Sequence, residues 1–311
     1  MDLFARLRRS TPWLIGFLGP IIALELALRI AGGLLGPPEP WPNAGYRTMA
    51  EAAAELNANG ETVDVLFLGS SITDAAIDPT QLQDETAIAS FNAAGPFSGP
   101  ISAERWLTYG LWDLQPATLV IGLPVWGADG SAEDSDLLQA LNRLEAAQQN
   151  TSWLNWSALW QRRGQLRQPV EVFGDKAIAA RFTSRGHYTG YYDAQAVPEP
   201  LNEAGTPFPG VSDDQLAALT RTAESAAQQG VTVVLMLEPG GCPPVFPNCA
   251  TPASVQLADE LYRQIAQDLD VEYFNARTFE AEPTWYADSA HFNEAGTRAF
   301  TSFVGGWLAD R

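Results

Sequence analysis

Two serines at the end of an apolar segment are the first residues whose types and spacing can do chemistry. Ser70 and Ser71 directly follow the run VDVLFLG (63–69), which has the pattern of a buried strand. A hydroxyl at such a turn either caps the following helix or acts as a nucleophile, and a serine nucleophile needs an adjacent base. The chain has two histidines, His187 and His291. For His187 we expect a surface or hydrogen-bonding role, which leaves His291 as the candidate base.

Asp288 stands three residues before His291, in the segment WYADSAHFNEAG (285–296). A carboxylate at this spacing can hold an imidazole in one tautomer and stabilise its protonated form. An Asp-x-x-His pair by itself often arises by chance. Combined with Ser71, however, it predicts a site in which Ser71 is the nucleophile, His291 is the base and Asp288 orients His291.

The elements that must position these residues are five apolar runs separated by helical stretches. The runs are VDVLFLG (63–69), AIASFNAAG (87–95), ATLVIGLPV (117–125), VTVVLMLEPG (231–240) and VEYFNA (271–276). Helices are predicted at 48–60, 215–230 and 254–269, and a terminal helix is predicted to be capped by Asn293. This alternation predicts a three-layer α/β/α sandwich around a parallel, flavodoxin-like sheet. Ser71 then lies at the carboxyl edge of the sheet, where helix-terminal N–H groups can stabilise an oxyanion.

Three short segments resemble sequence blocks of the SGNH (GDSL-like) hydrolase superfamily, in particular its membrane-anchored bacterial type. Gly-Ser-Ser at 69–71 resembles the first block, which assigns the nucleophile to Ser71 and leaves Ser70 to shape the turn. Asp-Ser-Ala-His at 288–291 resembles the last block, Asp-x-x-His before the final helix. Asn-Ala-Ala-Gly, which ends at Gly95, resembles the block whose glycine N–H contributes to the oxyanion hole.

One block departs from this superfamily. Relatives carry Gly-x-Asn-Asp after the third strand, with the asparagine in the oxyanion hole, whereas this chain has Gly-Leu-Pro-Val and places Pro124 at that position. Loss of one such donor costs about 2.7–4 kcal/mol of transition-state stabilisation. The resemblance spans residues 63–311 apart from an insertion at about 126–211. It leaves three outcomes open, namely a substitute donor, a weak enzyme or a fold that has lost catalysis.

The resemblance implies a serine esterase or O-acyl transferase/deacetylase that acts on an acyl ester, with envelope glycans as candidate substrates. The N–H groups of Ser71 and Gly95 would then stabilise the oxyanion while His291 transfers the proton. Such an enzyme needs no metal and no cofactor. The alternative is a catalytically weak or inactive SGNH-fold accessory subunit of a membrane protein complex. In that case the serine turn is only a helix cap, and His291 is only a buried hydrogen-bonding residue.

The N-terminal segment has the pattern of a membrane anchor. The basic flank ARLRR (5–9) precedes a mainly apolar run at residues 13–36. A helix of that length measures about 36 Å, enough to cross a bilayer core. The pattern predicts an uncleaved, single-pass anchor with a cytoplasmic N-terminus and an extracytoplasmic globular domain. Glu25 and Arg29 fall on one helix face, where either Arg29 snorkels beside a protonated Glu25 or the pair faces a membrane-protein partner.

The chain therefore divides into three predicted parts. Residues 1–36 are the flank and anchor, residues 37–60 are a proline-rich linker and a lead-in helix, and residues 61–311 are the hydrolase-like domain with its insertion. Three tryptophans of the insertion have helical spacing, which favours an amphipathic helix packed on the domain over a ligand-binding cluster. They are Trp153, Trp156 and Trp160.

Charge and cysteine content narrow the possible partners. The formal net charge of −19 repels phosphate backbones and argues against nucleic-acid binding. Cys242 and Cys249 bracket a short loop without a CxxC pair or a histidine cluster, so a zinc site is not expected. These cysteines form a disulfide if the domain lies outside the cytoplasm, and two free thiols are the alternative.

Overall fold

The computed structural model describes most of the region after the predicted linker. The described residues are 18–27, 44–96, 99–125, 137–138, 140–142, 181–192, 208–239, 252–288 and 290–311. The chain divides into two compact units, one of Met1–Trp41 with Asn142–Gly174 and one of Pro42–Leu141 with Asp175–Arg311. The sheet and all the site residues discussed below belong to the second unit.

The described part of the first unit is mainly one helical segment. Residues 18–27 are helical, and five large apolar side chains on this segment are exposed: Leu18, Ile21, Ile22, Leu24 and Leu26. Among the described residues, no helix has both the length and the apolar character required to cross a bilayer. Much of the predicted anchor at 13–36, including Arg29, lies outside the described residues.

Five strands form one parallel sheet in the second unit. They are β1 (Val65–Leu68), β2 (Ser90–Asn92), β3 (Thr118–Leu123), β4 (Thr232–Leu237) and β5 (Glu272–Asn275). Their order is β2-β1-β3-β4-β5, and every neighbouring pair is parallel. This is the flavodoxin-like order. The predicted α/β class and all five predicted strands are confirmed.

Seven helices connect or flank these strands within the described residues. They are α1 (Ala44–Ala58), α2 (Ser71–Ala76), α3 (Pro79–Thr86), α4 (Pro100–Tyr109), α5 (Asp213–Gln229), α6 (Pro252–Asp268) and α7 (Glu294–Ala309). The helices predicted at 48–60, 215–230 and 254–269 correspond to α1, α5 and α6. Asn293 caps α7 as predicted, because its side chain accepts hydrogen bonds from the N–H groups of Ala295 and Gly296.

Helices cover both faces of the sheet. On one face, alternate strand residues such as Val65 and Phe67 pack in an apolar cluster with Phe300 and Val304 of α7. Successive strand residues point to opposite faces. The intervening residues, such as Leu66, are also buried, and they face the layer to which α5 and α6 contribute through their packing against β4. The result is the predicted three-layer sandwich.

The strand order creates a crevice at the carboxyl end of β1. The chain passes from β1 to β2 on one side and later to β3 on the other, and ligands of open α/β sheets bind where the order reverses in this way. The turn that leaves β1 begins at Gly69, and the turn that leaves β3 begins at Pro124. Ser71 opens α2 directly after the first of these turns.

Asn92, at the end of β2, ties this region to α2. Its side-chain amide donates hydrogen bonds to the carbonyls of Thr73 and Ile77, at 3.1 Å and 3.0 Å. Its side-chain oxygen accepts from the N–H of Ala94 at 3.1 Å. Asn92 is fully buried, so water cannot replace its side chain as the hydrogen-bonding partner of these backbone groups. The residue therefore fixes the helix that carries Ser71 relative to the sheet.

We expect the substitution Asn92→Ala to lower the free energy of unfolding by about 3 kcal/mol, because buried acceptors left without a donor cost about 1–3 kcal/mol each. Urea denaturation followed by circular dichroism measures this change. The control is Asn57→Ala on the exposed side of α1, for which we expect a change below about 0.5 kcal/mol. Equal stabilities of the two variants would contradict the role of Asn92.

Candidate active site

The structure brings together the three residues that the sequence pairs across 220 positions. The Ser71 hydroxyl oxygen lies 2.8 Å from Nε2 of His291. On the opposite side of the ring, His291 Nδ1 lies 2.8 Å and 2.9 Å from the two carboxylate oxygens of Asp288. A carboxylate only accepts, so Nδ1 carries the proton and Nε2 is left to accept from Ser71. This is the geometry required to transfer a proton from a serine hydroxyl to a histidine.

Backbone hydrogen bonds hold Asp288 in place beneath the imidazole. One of its oxygens accepts from the N–H groups of Ala290 and His291, both at 2.8 Å. Burial raises the pKa of Asp288, but the hydrogen bonds and charge of His291, together with these two N–H groups, lower it by more. The pKa of Asp288 therefore lies below its ordinary value, and the residue is ionised at neutral pH.

The two serines of the turn have different surroundings. Ser70 caps α2, since its hydroxyl oxygen accepts from the N–H of Ile72 at 3.2 Å. Its own O–H and N–H donate to the carboxylate of Glu238, the residue that follows β4. Ser71 instead faces His291. The question of cap or nucleophile therefore has a separate answer for each serine, with Ser70 as the cap and Ser71 beside the base.

The predicted oxyanion donors have different hydrogen-bond partners in this structure. The N–H of Gly95 donates to the carbonyl of Gly69 at 3.0 Å, and its role as an oxyanion donor stays a prediction. Pro124 has no N–H, and its carbonyl accepts from the hydroxyl of Tyr262 at 2.8 Å. The N–H of Ser71 makes no hydrogen bond to another described residue. Of the two predicted donors, it is the one without another hydrogen bond among the described residues.

The second half of the insertion contributes an aromatic side chain to the site. The ring of Tyr191 stacks on the imidazole of His291, with centroids 4.2 Å apart and planes 7° from parallel. Such ring pairs contribute about 0.5–1.5 kcal/mol beyond their buried area. Burial and the nearby charge of Asp288 raise the pKa of Tyr191, so its hydroxyl stays neutral. Tyr191 thus covers one face of His291 and restricts its rotation.

His187 anchors the same insertion segment against α2. It is fully buried, with Nδ1 2.7 Å from the carbonyl of Asp74 and Nε2 2.8 Å from the Tyr192 hydroxyl. The neighbouring N–H of Tyr188 donates to the Asp74 carboxylate at 3.1 Å. The expected hydrogen-bonding role of His187 is therefore confirmed, whereas a surface position is wrong. Whether a histidine lies at the surface or in the interior depends on its tertiary contacts, which residue type alone does not reveal.

Glu238 and Tyr191 are absent from the sequence-based site. A signal for Glu238 exists, because a charged residue directly after the apolar strand TVVLML falls at the same sheet edge as Ser71. Tyr191 has no such signal, since aromatic residues are frequent in its segment HYTGYY.

Two of the predicted features lie outside the described residues, namely the cysteine pair and the tryptophan helix. Cys242 and Cys249 lie outside them, as do Trp153, Trp156 and Trp160. Within the described part of the chain, no group of three or more His, Cys, Asp or Glu side chains is arranged to hold a metal ion.

No protein-family model and no curated protein sequence matches this chain. Among solved structures, the chain is similar to a GDSL-like lipase from Bacteroides thetaiotaomicron, with a TM-score of 0.42, 11% identity and coverage of 86% of this chain and 98% of that one. It is also similar to a lipase/acylhydrolase from Enterococcus faecalis (TM-score 0.40, 11% identity, coverage 79% and 96%). A third is the psychrotrophic esterase EstA from Pseudoalteromonas sp. (TM-score 0.38, 15% identity, coverage 78% and 97%). The similarity to GDSL-like esterases and acylhydrolases is distant.

The buried position of His187 predicts a pH dependence of stability. Burial lowers its pKa, against the opposing effects of the Asp78 charge and the Asp74 carbonyl. Between the lowered folded pKa and about pH 6.5, the unfolded chain then binds more protons at His187 than the folded one. We therefore expect the contribution of His187 to be complete above that pH and to be lost as the pH falls through it and through the lower folded pKa.

Thermal unfolding between about pH 7.5 and about pH 5 measures this dependence against the variant His187→Gln. The variant should lose less stability on acidification because it lacks the titrating ring. Burial raises the pKa of Asp74, which gives the opposite trend with pH in both proteins. Parallel pH profiles for the two proteins would contradict the assignment.

Proposed function

We propose that the chain is a serine esterase or O-acyl transferase/deacetylase that acts on an acyl ester. The observation that carries this proposal is the hydrogen-bonded series Ser71–His291–Asp288, with 2.8 Å at each of its two steps. A serine hydroxyl is a weak nucleophile until an adjacent base removes its proton. Here the base is held in the correct tautomer by an ionised carboxylate and lies at hydrogen-bonding distance from the hydroxyl.

The first half of the reaction forms an acyl enzyme. The Ser71 oxygen attacks the ester carbonyl carbon while its proton moves to Nε2 of His291, and Asp288 stabilises the resulting imidazolium. The carbonyl oxygen becomes an oxyanion beside the N–H of Ser71. Collapse of this intermediate breaks the bond to the leaving alkoxide, which takes the proton from His291. The acyl group is then bonded to the Ser71 oxygen.

The second half of the reaction removes the acyl group. His291 takes a proton from a water molecule or from an acceptor hydroxyl, whose oxygen attacks the acyl carbon. Release of the Ser71 oxygen, which regains its proton from His291, yields a free acid in the case of water and a new ester in the case of an acceptor. Hydrolysis and transfer therefore use the same three residues and differ only in the nucleophile admitted to the site.

The proposal predicts covalent labelling of Ser71 by a fluorophosphonate probe, which forms an oxygen–phosphorus bond as fluoride leaves. We expect labelling of the wild type, none of Ser71→Ala, and a decrease of roughly 10⁴-fold or more in His291→Gln, because no base remains. In-gel fluorescence and intact-protein mass spectrometry measure the extent of labelling. Ser302→Ala, at an exposed position of α7, is the matched control and should label like the wild type. A folded wild-type protein that is not labelled by the probe would contradict the proposal.

The second candidate is a catalytically weak or inactive accessory subunit of a membrane protein complex. It is favoured by the state of two predicted oxyanion positions, because Pro124 has no N–H and the N–H of Gly95 is already donated to Gly69. Removal of one oxyanion donor lowers kcat by about 10²–10³-fold in other acyl-transfer enzymes. The labelling experiment separates the two candidates, since an inactive subunit has no reactive Ser71.

We further propose that the domain is extracytoplasmic and attached to the membrane by residues 13–36, close to acylated envelope glycans. The basic flank before this run and the exposed apolar side chains on helix 18–27 support the proposal. A membrane-protein partner at Glu25 and Arg29 accounts for an ionisable pair in such a helix.

Alkaline carbonate extraction of cell membranes tests the attachment. We expect the full chain to stay in the membrane pellet and a variant that lacks residues 1–36 to be released. Alkaline carbonate removes peripheral proteins, whereas an apolar run buried in the bilayer resists it. Release of the full chain would contradict an integral anchor. Purification in mild detergent tests the partner separately. We expect a membrane protein to co-purify with the wild type and not with Glu25→Leu.

A further inference from the structure

Glu238 has an unusual position for a carboxylate. It directly follows β4, and its backbone N–H continues the strand pairing by donating to the carbonyl of Leu123 at 3.0 Å. Its side chain is 1% exposed. A buried carboxylate is costly unless its oxygens accept hydrogen bonds. The partners of these oxygens therefore indicate why the residue is tolerated at this sheet edge.

Among the described residues, the side-chain hydrogen-bond partners of Glu238 all belong to the turn and helix start that carry Ser71. One oxygen accepts from the N–H of Ser70 at 3.0 Å and from the hydroxyl of Thr73 at 2.6 Å. The other oxygen lies 2.7 Å from the hydroxyl of Ser70. A carboxylate has about four lone-pair positions, so it can accept all three protons. The residues on either side of Ser71 in the first turn of α2 are thus bonded to one group on another strand.

The space around this carboxylate is made by two glycines at the ends of neighbouring strands. A Cβ on Gly122 of β3 would overlap the Thr73 hydroxyl and lie 2.8 Å from a Glu238 carboxylate oxygen. Gly69 has a φ of 147°, and a Cβ there would lie 2.7 Å from the Thr73 hydroxyl and 3.0 Å from the same Glu238 oxygen. The carboxylate therefore fits closely between the ends of β1, β3 and β4.

We propose that Glu238 is a positioning residue that sets the orientation of the Ser71 hydroxyl and backbone N–H by clamping the turn on both sides of them. The proposal rests on the proposed function of Ser71 as a nucleophile. Glu238 is buried behind the turn and makes no contact with the reacting atoms. It acts through Ser70 and Thr73, which are the residues it bonds.

This arrangement matters because, of the two predicted oxyanion donors, the Ser71 N–H is the one that makes no other hydrogen bond to a described residue. The N–H of Ser71 belongs to the same peptide unit as the Ser70 carbonyl, so a rotation of the Ser70 residue displaces the Ser71 N–H and hydroxyl together. Displacement of a reacting group by about 1 Å can lower a rate by about 10²-fold. The clamp on Ser70 therefore controls both the attack and the stabilisation of the resulting charge.

The test compares Glu238→Ala and Glu238→Gln with the wild type in the full chain. Glutamine keeps one acceptor oxygen for the Ser70 N–H and the Thr73 hydroxyl, whereas alanine keeps none. The matched control is Glu272→Gln, at an exposed residue of β5 that pairs with Arg311. Three quantities are measured: the rate constant for fluorophosphonate labelling, kcat and KM for p-nitrophenyl acetate, and hydrogen exchange of the peptide covering residues 65–76.

We expect the labelling rate constant and kcat of Glu238→Ala to fall by about 10²-fold with KM nearly unchanged, because the group does not contact substrate. Glu238→Gln should lose less than about 10-fold, and Glu272→Gln should match the wild type. Faster exchange in peptide 65–76 should accompany the loss in Glu238→Ala. A Glu238→Ala protein that is less stable but labels at the wild-type rate would overturn the positioning role, as would equal losses in the alanine and glutamine variants.

Failure of the proposed function has a different signature. If the wild type does not label, Ser71 is not a reactive nucleophile, and hydrogen exchange alone then decides whether Glu238 holds the turn. Faster exchange of residues 65–76 in Glu238→Ala than in the wild type supports the clamp in that case. Unchanged exchange overturns it.

Discussion

The turn between β1 and α2 is the constraint on which the candidate site depends. It leaves the strand at Gly69, is bonded on both sides of Ser71 to the carboxylate of Glu238, and is packed against the end of β3. Because three strand ends meet here, none of them can shift without disturbing the others. A serine on a solvated loop would sample many orientations, and ordering it at the moment of reaction would cost conformational entropy. Here folding has already imposed that order.

His291, the proposed base, is held in place from the opposite side of the site. Asp288 is bonded through two backbone N–H groups of its own segment, and Tyr191 covers one face of the His291 ring. The insertion therefore contributes to the site through residues 181–192, although most of it lies outside the described residues. Buried polar groups such as Asn92 and His187 link the insertion, β2 and α2. Each is satisfied by specific partners, which makes this region sensitive to single substitutions.

Among the described residues, the positions predicted to stabilise an oxyanion offer few free donors. Pro124 offers no donor, and the N–H of Gly95 stabilises the β1 turn by bonding to Gly69. One backbone donor of the predicted pair is left, at Ser71. The site combines a well-ordered proton-transfer chain with limited stabilisation of developing charge. If Ser71 is the nucleophile, as proposed, the orientation of its peptide N–H matters more than it would with several donors.

Sequence alone determined the five strands, the parallel α/β class and the pairing of Ser71 with Asp288 and His291. The periodicity of apolar residues, the turn residues and the spacing of Asp288 and His291 are local properties of the sequence. Parallel strands also bring their carboxyl ends to one edge of the sheet whatever the connections between them. Only the tertiary structure decided the hydrogen bonds of Glu238, the stacking of Tyr191, the burial of His187 and the hydrogen bond from Gly95 to Gly69. Each of these depends on a contact or hydrogen bond between separate elements, and its partner cannot be identified from residue type or spacing within either segment.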